Sequence, residues 1–512
     1  MLKKARWAGR KNEVKEAFLF SYRNYLKLAY PMDELRPVTG AGVNKFKGWA
    51  VTVFDSLDTM WLMGLKDEFY QAMDIVEKTP FTSLQSEFAP FFETTIRYLG
   101  GLLSAYALSK EPVFLVRANE LGKRLIPVFD SHSSGLPSYG VNTETGETQD
   151  QQTMLWAEAT SCQLEFKYLA KLTGTAEYYH KVERIMEFMY ATNSTEGLFA
   201  EKWLLNGQQV PVHVGVGGGM DSGYEYLLKQ WLLNGDTKAK AQYITSITGI
   251  INNLLFITPN RQLLYVTDTR GGLAVDQFEH LSCFLPGVIA LGAHTLDLSP
   301  DEKELHQWAA RGLAYSCYVS YADQTSGLGP DNMMMKSGGK WIEHVQTWIE
   351  EGRPGNVPPG VKASPPVKEG DRDYFNANQM WYARPETIES LYLMWKTTGE
   401  EVWRERGYEI FAAIEKHART EFGYSSIFGV DYKAIRPWNE MPSYFLAETL
   451  KYLYLLFDDE DPIDLKKWVF NTEAHPLPVY EWEEWEKVAY NVSGVVPPKS
   501  LDLEIGLEDM RP

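Results

Sequence analysis

Apolar and polar positions along the chain alternate between two kinds of helical pattern. In residues 11–30, apolar side chains recur at three- and four-residue spacing and leave one polar face. In residues 88–109, nearly every position is apolar, and the only charges are Glu93 and Arg97. A helix with one apolar stripe faces water, whereas a helix that is apolar around most of its girth is buried on most sides. The sequence therefore predicts an outer and an inner set of helices.

The two kinds of helix follow each other in strict order, about seven of each. The amphipathic helices are predicted at 11–30, 67–79, 112–130, 176–192, 237–257, 301–322 and 401–418. The apolar helices are predicted at 55–65, 88–109, 153–172, 221–234, 277–297, 385–398 and 441–457. This order is typical of helical hairpins that close into a ring, so we predict an all-α toroid with one inner and one outer layer.

Irregular segments of the chain join these helices. Residues 197–216 predict a β-hairpin around Asn206-Gly207, because that dipeptide favours the tight turn of a hairpin. Short strands are expected within 260–274 and 423–437, and the Pro-rich stretch 353–370 is expected to be a surface loop. We expect residues 1–480 to form a single domain and residues 481–512 to form an acidic C-terminal tail.

Composition narrows the class of partner. The net charge of −18 argues against nucleic acid and anionic membranes as partners, although solubility explains most of that charge. No apolar run reaches transmembrane length, and residues 1–15 lack the apolar core of a signal peptide, so we expect a cytosolic protein or a trimmed chain without membrane insertion. The three cysteines are compatible with one disulfide and one thiol, or with three thiols. The sequence does not determine the oligomeric state, and a monomer is our expectation.

Four inner helices carry an acid where an apolar residue is expected: Glu93, Asp221, Glu386 and Glu448. Taken singly, each acid has an ordinary structural explanation, namely a helix cap, a favourable charge at a helix N-terminus, or an ion pair with Arg97 or Lys451. An ionised carboxylate on an apolar face is costly unless it is paired or hydrated. Acids that converge from several inner helices therefore predict a wet central cavity. A cavity of carboxylates with aromatic walls suits glycoside hydrolysis, in which one acid protonates the leaving oxygen and another activates water.

Near the C-terminus, the segment Asn471-Thr472-Glu473-Ala474-His475-Pro476 follows the last inner helix. An ordinary turn explains it, since Asn-Thr and His-Pro are common in turns. Thr472, however, offers a carbonyl and a hydroxyl oxygen from one residue, and Glu473 adds a carboxylate. Calcium prefers such oxygen ligands together with water. The segment is therefore a candidate calcium site, with Thr472 as the protein ligand.

Seven motifs in order resemble family 47 of the glycoside hydrolases, the class I α-1,2-mannosidases, and the resemblance runs from about residue 14 to residue 478. The motifs are FDSLDTMW (54–61), FFETTIRYLGGLLSAYALS (91–109), GGGMDSGYEYLLKQW (217–231), FEHLSCFLPG (278–287), RPETIESLY (384–392), FLAETLKYLYLLF (445–457) and FNTEAHP (470–476). The resemblance implies an (α/α)₇ barrel, a calcium ion at its floor, and hydrolysis of terminal α-1,2-linked mannose from high-mannose N-glycans with inversion.

The family's functional positions transfer to this sequence one by one. Glu93 matches the general acid, which acts directly or through a water, and Glu386 matches the general base. Asp221 matches the third catalytic carboxylate, to which the role of acid has also been given. Thr472 matches the calcium ligand. The positions around the sugar and the hydrated metal are Arg97, Glu158, His280, Arg384, Glu389, Tyr444, Glu448 and Glu473. Cys283 and Cys317 match the family's disulfide, which implies the secretory pathway or an extracellular location for the native protein; Cys162 is then the free thiol.

Three positions depart from the family's pattern. Gly219 stands where endoplasmic-reticulum members carry an arginine that selects one glycan branch, so we expect broader trimming, as in Golgi and secreted fungal members. Asp331 stands in Leu-Gly-Pro-Asp where many members have glutamate, which leaves its role in substrate binding open. Tyr444 keeps the aromatic ring that stacks on the sugar and adds a hydroxyl.

Two alternatives stay open from the sequence. The first is a lectin-like member that binds mannose glycans without turnover, although the presence of Glu93, Asp221 and Glu386 together favours an enzyme. The second is another helical-toroid glycosidase of the trehalase or glucoamylase type, which has no need of calcium at 471–476.

Overall fold

The computed structural model describes residues 2–192 and 194–498, and within these ranges seven outer and seven inner helices alternate along the chain. The outer helices are Leu2–Leu28, Lys66–Lys78, Pro112–Leu125, Ala176–Ala191, Thr237–Asn253, Pro300–Ala322 and Glu401–His417. The inner helices are Val51–Leu62, 91–109, Gln163–Thr173, Asp221–Asn234, Leu285–Thr295, Glu386–Thr398 and 445–456. The predicted (α/α)₇ architecture is confirmed.

The ring closes between the two ends of the chain. The first outer helix, Leu2–Leu28, packs on the last inner helix, and the first inner helix packs on the turn Phe445–Thr449. Trp7 stacks on Phe457 with ring centroids 5.7 Å apart, and both side chains are buried. Because burial of large aromatic surfaces is strongly stabilising, this contact stabilises the closure of the barrel between its first and last helices.

The two ends of the barrel differ in their connections. Each inner helix up to Glu386–Thr398 is joined to the next outer helix by a short turn, whereas each outer helix leads to the next inner helix through a long connection that contains β-strands. All these strands pair antiparallel, and the largest sheet has five strands in the order Leu273–Ala274, Thr269–Arg270, Gln209–Val214, Ala200–Leu204 and Thr153–Leu155. The strands are Glu34–Arg36, Ala41–Val43, Ala89–Pro90, Gly140–Val141, Thr153–Leu155, Ala200–Leu204, Gln209–Val214, Leu255–Ile257, Leu264–Val266, Thr269–Arg270, Leu273–Ala274, Gln277–Glu279, Asn332–Met335, Tyr374–Asn378, Met380–Trp381, Ser426–Phe428 and Arg436–Trp438. The inner helices therefore all begin at the end of the barrel that carries the strands.

The hairpin predicted at 197–216 is confirmed, with Trp203 paired to Gln209 across its turn, and the strands expected within 260–274 and 423–437 are present. Three predictions of helix were too long. Residues 153–155 and 277–279 are strands that precede an inner helix, and residues 255–257 form a strand after an outer helix. In each case the end of the predicted helix pairs with a neighbouring strand instead, because local periodicity does not encode pairing with other segments.

The sequence also missed two helices, Trp341–Glu350 and Glu484–Ala489. The second lies in the segment that we expected to be an acidic tail. Trp482 and Tyr490, on either side of this helix, are buried. Val495 forms an isolated antiparallel β-bridge with Asp236 of the barrel. Residues 499–512 of that predicted tail lie outside the described residues.

The segment 468–478 is a β-hairpin that enters the ring. Its strands, Trp468–Phe470 and Pro476–Pro478, pair antiparallel and leave Asn471–His475 as the tip. The tip lies against the inner helix 91–109, where Gly100 and Gly101 make room for it: a Cβ on Gly100 would stand 2.5 Å from the Asn471 amide nitrogen. The hairpin follows the last inner helix, so it enters the barrel from the end opposite the strands.

The described chain contains one disulfide, between Cys283 and Cys317, and Cys162 is a buried free thiol. The disulfide joins the short helix His280–Phe284, which leads into the inner helix Leu285–Thr295, to the neighbouring outer helix Pro300–Ala322. Among the described helices, none has a stretch long and apolar enough to cross a membrane.

Candidate active site

Arg97 organises the acids on one wall of the cavity. Its Nε donates to Glu93 Oε2 at 2.7 Å, and its Nη1 donates to Glu473 Oε1 at 2.5 Å and to Ser443 Oγ at 3.2 Å. The i, i+4 ion pair between Glu93 and Arg97 that the sequence suggested is therefore present, but Arg97 also binds the hairpin tip. One buried guanidinium thus positions Glu93 relative to Glu473.

Glu386 is held by a chain of hydrogen bonds that begins at Trp381. The indole Nε1 of Trp381 donates to Tyr321 Oη at 3.3 Å, and Tyr321 Oη lies 2.6 Å from Nε2 of His280. The Tyr321 hydroxyl accepts the indole hydrogen and can donate its own hydrogen to Nε2 of His280. Nε2 of His280 then accepts, and its Nδ1 donates to Glu386 Oε2 at 2.8 Å. These hydrogen bonds fix one carboxylate oxygen of Glu386 and leave its other oxygen for a water molecule.

Asp221 is the first residue of its inner helix, directly after the glycine loop 217–219. The residue before it, Met220, occupies the cap position, and the helix has no side-chain cap. Burial raises the pKa of Asp221 to about 8, and the nearby carboxylates Glu225 and Glu386 add to the rise. Because Met220 holds the cap position, the ordinary explanation of Asp221 as a helix cap is wrong. Its burial favours the protonated form of the carboxyl group.

Arg384, Asp331 and Tyr444 form a second cluster near Glu386. Arg384 Nε donates to Asp331 Oδ1 at 2.8 Å, and the backbone oxygen of Asp331 accepts from His280 N at 2.9 Å. The shorter aspartate therefore orients Arg384 and the strand before His280. Tyr444 donates its hydroxyl to the Tyr382 carbonyl at 2.6 Å, so the added hydroxyl fixes the ring in place.

The cavity floor consists of Thr472 and the carboxylates Glu473, Glu448 and Glu389. Burial raises the pKa of Glu448 well above its ordinary value, and the charges of Glu473, Glu386 and Glu389 raise it further. Burial also raises the pKa of Glu389. No hydrogen bond or ion pair from the described residues reaches Glu448, and Lys451, which the sequence offered as its partner, instead lies 2.9 Å from Asp58. Mutual repulsion of buried acids is relieved by a cation.

Thr472 meets the requirement for holding such a cation through oxygen. Its backbone N–H donates to Tyr226 Oη at 3.2 Å, whereas its carbonyl and hydroxyl oxygens accept no hydrogen bond from the described residues. Within the described chain, no group of three or more His, Cys, Asp or Glu side chains is spaced to hold a metal directly. These residues fit a hard cation that binds threonine oxygens and water, with the floor carboxylates beyond the water.

Glu158 lies apart from these clusters. It belongs to the short helix Trp156–Thr160, and its carboxylate accepts from Leu155 N at 3.4 Å. Burial raises its pKa, and the charge of Glu93 adds to the rise. It makes no ion pair with the described residues.

A buried network that the sequence analysis did not predict locks the hairpin tip. His475 places Nδ1 2.6 Å from Asp58 Oδ2 and Nε2 3.1 Å from Asp55 Oδ1, and all three side chains are fully buried. Asn471 accepts at Oδ1 from the backbone N–H groups of Glu473 and His475 and donates to Glu165 Oε1 at 2.8 Å. The pattern that could have revealed this network is the pair of acids at i, i+3 in the buried and otherwise uncharged helix Val51–Leu62.

Comparison with known proteins gives the class of the molecule. The model of glycosyl hydrolase family 47 matches residues 17–479, and the chain belongs to this family of glycoside hydrolases. It is 37% identical over 92% of its length to mannosyl-oligosaccharide 1,2-alpha-mannosidase IC of Homo sapiens, of which it covers 70%. It is 36% identical over 92% of its length to the endoplasmic reticulum mannosyl-oligosaccharide 1,2-alpha-mannosidase of Mus musculus, of which it covers 68%. The solved alpha-1,2-mannosidase from Trichoderma reesei superposes with a TM-score of 0.81 at 27% identity and covers 92% of this chain and 99% of that structure.

Proposed function

We propose that this glycoside hydrolase is an exo-acting, inverting α-1,2-mannosidase that removes terminal α-1,2-linked mannose from high-mannose N-glycans. The observation that supports the proposal is the position of Glu93, Asp221 and Glu386 in the first turns of three inner helices, all of which begin at the strand-bearing end of the barrel. The hairpin tip enters the barrel from the other end. A cavity closed at one end suits removal of a terminal sugar. The relatives named above are 1,2-alpha-mannosidases, which supports the same substrate class.

Each carboxylate has a role in the proposal. Glu386 is the general base, because His280 occupies one of its oxygens and the other can take a proton from water. Glu93 and Asp221 form the acid side. Arg97 holds Glu93 in place, and the pKa of about 8 lets Asp221 keep a proton at neutral pH for the leaving oxygen. Arg384, Tyr444, Glu158 and Asp331 position the sugar and the groups around it.

We further propose that Ca²⁺ binds at Thr472, where Glu389, Glu448 and Glu473 supply the negative field. The ion supplies Lewis-acid contacts to sugar hydroxyls and water when it is bound. Around it, Arg97 balances the charge of Glu473, and Asn471 holds the backbone of the tip that carries Thr472.

The breadth of trimming and the location of the protein belong to the same proposal. Gly219 carries no side chain beside Asp221, which supports cleavage of several glycan branches as in Golgi or secreted fungal enzymes. The Cys283–Cys317 disulfide supports a lumenal or secreted location, because disulfides persist in oxidising compartments. We propose residues 1–480 as one catalytic domain that acts as a monomer.

The decisive experiment measures mannose release from a Man-α-1,2-Man disaccharide with and without a chelator. An enzyme as proposed releases mannose, loses activity with chelator and regains it with Ca²⁺. A lectin-like protein releases no mannose, and a calcium-independent glycosidase is indifferent to chelator. The anomer first released, followed by proton NMR, tests inversion.

Two variants assign the roles of individual residues. We expect Glu386→Gln to bind the disaccharide with unchanged affinity and to lose at least a hundredfold in turnover, because the general base is gone. A near-normal rate would remove Glu386 as the base.

We expect Thr472→Ala to lower calcium affinity and activity together. Calcium content is measured by atomic spectroscopy on the dialysed protein. Unchanged calcium content in this variant would refute the assignment of Thr472.

A further inference from the structure

A groove separate from the catalytic cavity lies at the same end of the barrel. It has a volume of about 440 Å³ and runs between the hairpin 34–43 and the hairpin 426–438. Both hairpins belong to connections that lead from an outer to an inner helix, so the groove opens on the face that carries the catalytic cavity. Its volume lies within the range of sites that bind small molecules, roughly 300–1,000 Å³.

The groove is a preformed feature with an aromatic wall. Asn439 ties its two sides together, since its Oδ1 accepts from Val38 N at 2.9 Å and its Nδ2 donates to Thr39 Oγ1 at 3.0 Å. Trp438 lines the groove and is 50% exposed. An indole that is half in water offers an apolar face and a polar edge, the combination on which the ring of a pyranose can stack.

A buried acceptor without a donor also lines the groove. Glu34 is only 2% exposed, and its Oε1 accepts from Ser443 N at 2.9 Å. Its Oε2 is buried without a hydrogen-bond partner, and the nearest cation, Lys45 Nζ, is 3.9 Å away. A buried carboxylate oxygen that lacks a donor is costly. A ligand hydroxyl in the groove would supply that donor.

Ser443 connects Glu34 of the groove with Arg97 of the active site. The backbone of Ser443 binds Glu34, its hydroxyl accepts from Arg97 at 3.2 Å, and the next residue is Tyr444. A branched oligosaccharide could therefore place one terminal sugar in the cavity and another sugar in the groove. A ligand with hydroxyl donors and an apolar ring face fits both Glu34 and Trp438.

We propose that this groove is a distal sugar subsite, which binds a mannose of a second arm of the branched glycan while the first arm is cut in the cavity. The inference rests on the proposed function. It predicts that the groove contributes to binding of a branched oligosaccharide and contributes nothing to a disaccharide, which is too short to reach it.

The test compares Trp438→Ala with the parent on Man-α-1,2-Man and on a nine-mannose glycan. We expect unchanged kinetics on the disaccharide and a roughly two- to tenfold higher KM on the glycan, with kcat retained, because one stacking contact is lost. Trp438→Phe keeps a ring and should restore most of the affinity. Trp485→Ala, which removes another tryptophan that is 59% exposed on the helix Glu484–Ala489, is the matched control and should behave as the parent on both substrates.

The outcomes separate the two proposals. If the parent releases mannose from both substrates and Trp438→Ala has the parent's KM on the glycan, the subsite is refuted and the proposed function stands. Equal losses on both substrates would also refute the subsite, because they indicate damage to the cavity. If the parent releases mannose from neither substrate, the proposed function fails and the subsite fails with it.

Discussion

The substitution Gly100→Ala, which adds one methyl group, tests whether the hairpin tip positions the active site. Gly100 lies in the inner helix 91–109 and faces the tip directly. A Cβ built on it stands 2.5 Å from Asn471 Nδ2 and 3.2 Å from a ring carbon of His475, whereas ordinary contact begins at 3.4 Å. In Gly100→Ala, the tip must therefore withdraw by about an ångström or the helix must bend.

The size of the effect follows from what the tip holds. Overpacking of this kind costs about 1–3 kcal/mol, which for a 512-residue chain corresponds to a fall in Tm of roughly 1–3 °C. Activity should fall much further, by about a hundredfold, because Asn471 orients the backbone of Glu473 and a shift of about 1 Å in a catalytic group has that effect. A large loss of activity with a small loss of stability is therefore expected.

The assay pairs mannose release with thermal unfolding followed by circular dichroism. Gly9→Ala is the matched control, since a Cβ at Gly9 meets nothing within 4 Å and the substitution is also helical. The reasoning is wrong if Gly100→Ala retains the Tm and activity of the parent. It is also wrong if activity falls only in proportion to the unfolded fraction.

Two further predictions concern the base and the floor acids. Tyr321→Phe removes the donor to His280, so we expect kcat to fall roughly tenfold at unchanged KM. The control is Tyr318→Phe, because Tyr318 lies on the same helix but donates to Glu409. Equal kinetics in the two variants would contradict a role of the Tyr321–His280 hydrogen bond in catalysis. Burial raises the pKa of Asp221 to about 8 and that of Glu448 well above its usual range, so the folded state binds more protons than the unfolded state above the ordinary carboxyl pKa of about 4. Stability should therefore fall as the pH rises from 5 to 8 in chelator, and Ca²⁺ should reduce the fall; identical melting curves with and without Ca²⁺ across this range would refute it.

The alternation of amphipathic and apolar helices determined the fold by itself. Helical periodicity is local, and burial on one side or on most sides is visible in each segment, so the two layers follow from residues such as those of 11–30 and 88–109. The position of the acids at the starts of inner helices was also local: Glu93, Asp221 and Glu386 lie there because the sequence places polar residues at those turns.

What the sequence could not determine depends on contacts between distant segments. Residues 468–478 form a hairpin inside the ring, and Asp55 and Asp58 hold its tip through His475. These hydrogen bonds join positions more than 400 residues apart. Tyr321 likewise reaches Glu386 through His280, and Tyr321 and Glu386 lie 41 and 106 residues from His280 along the chain. Secondary structure follows from the spacing of side chains along the chain, whereas the partner of each buried charge is decided by which helices the closed ring brings together.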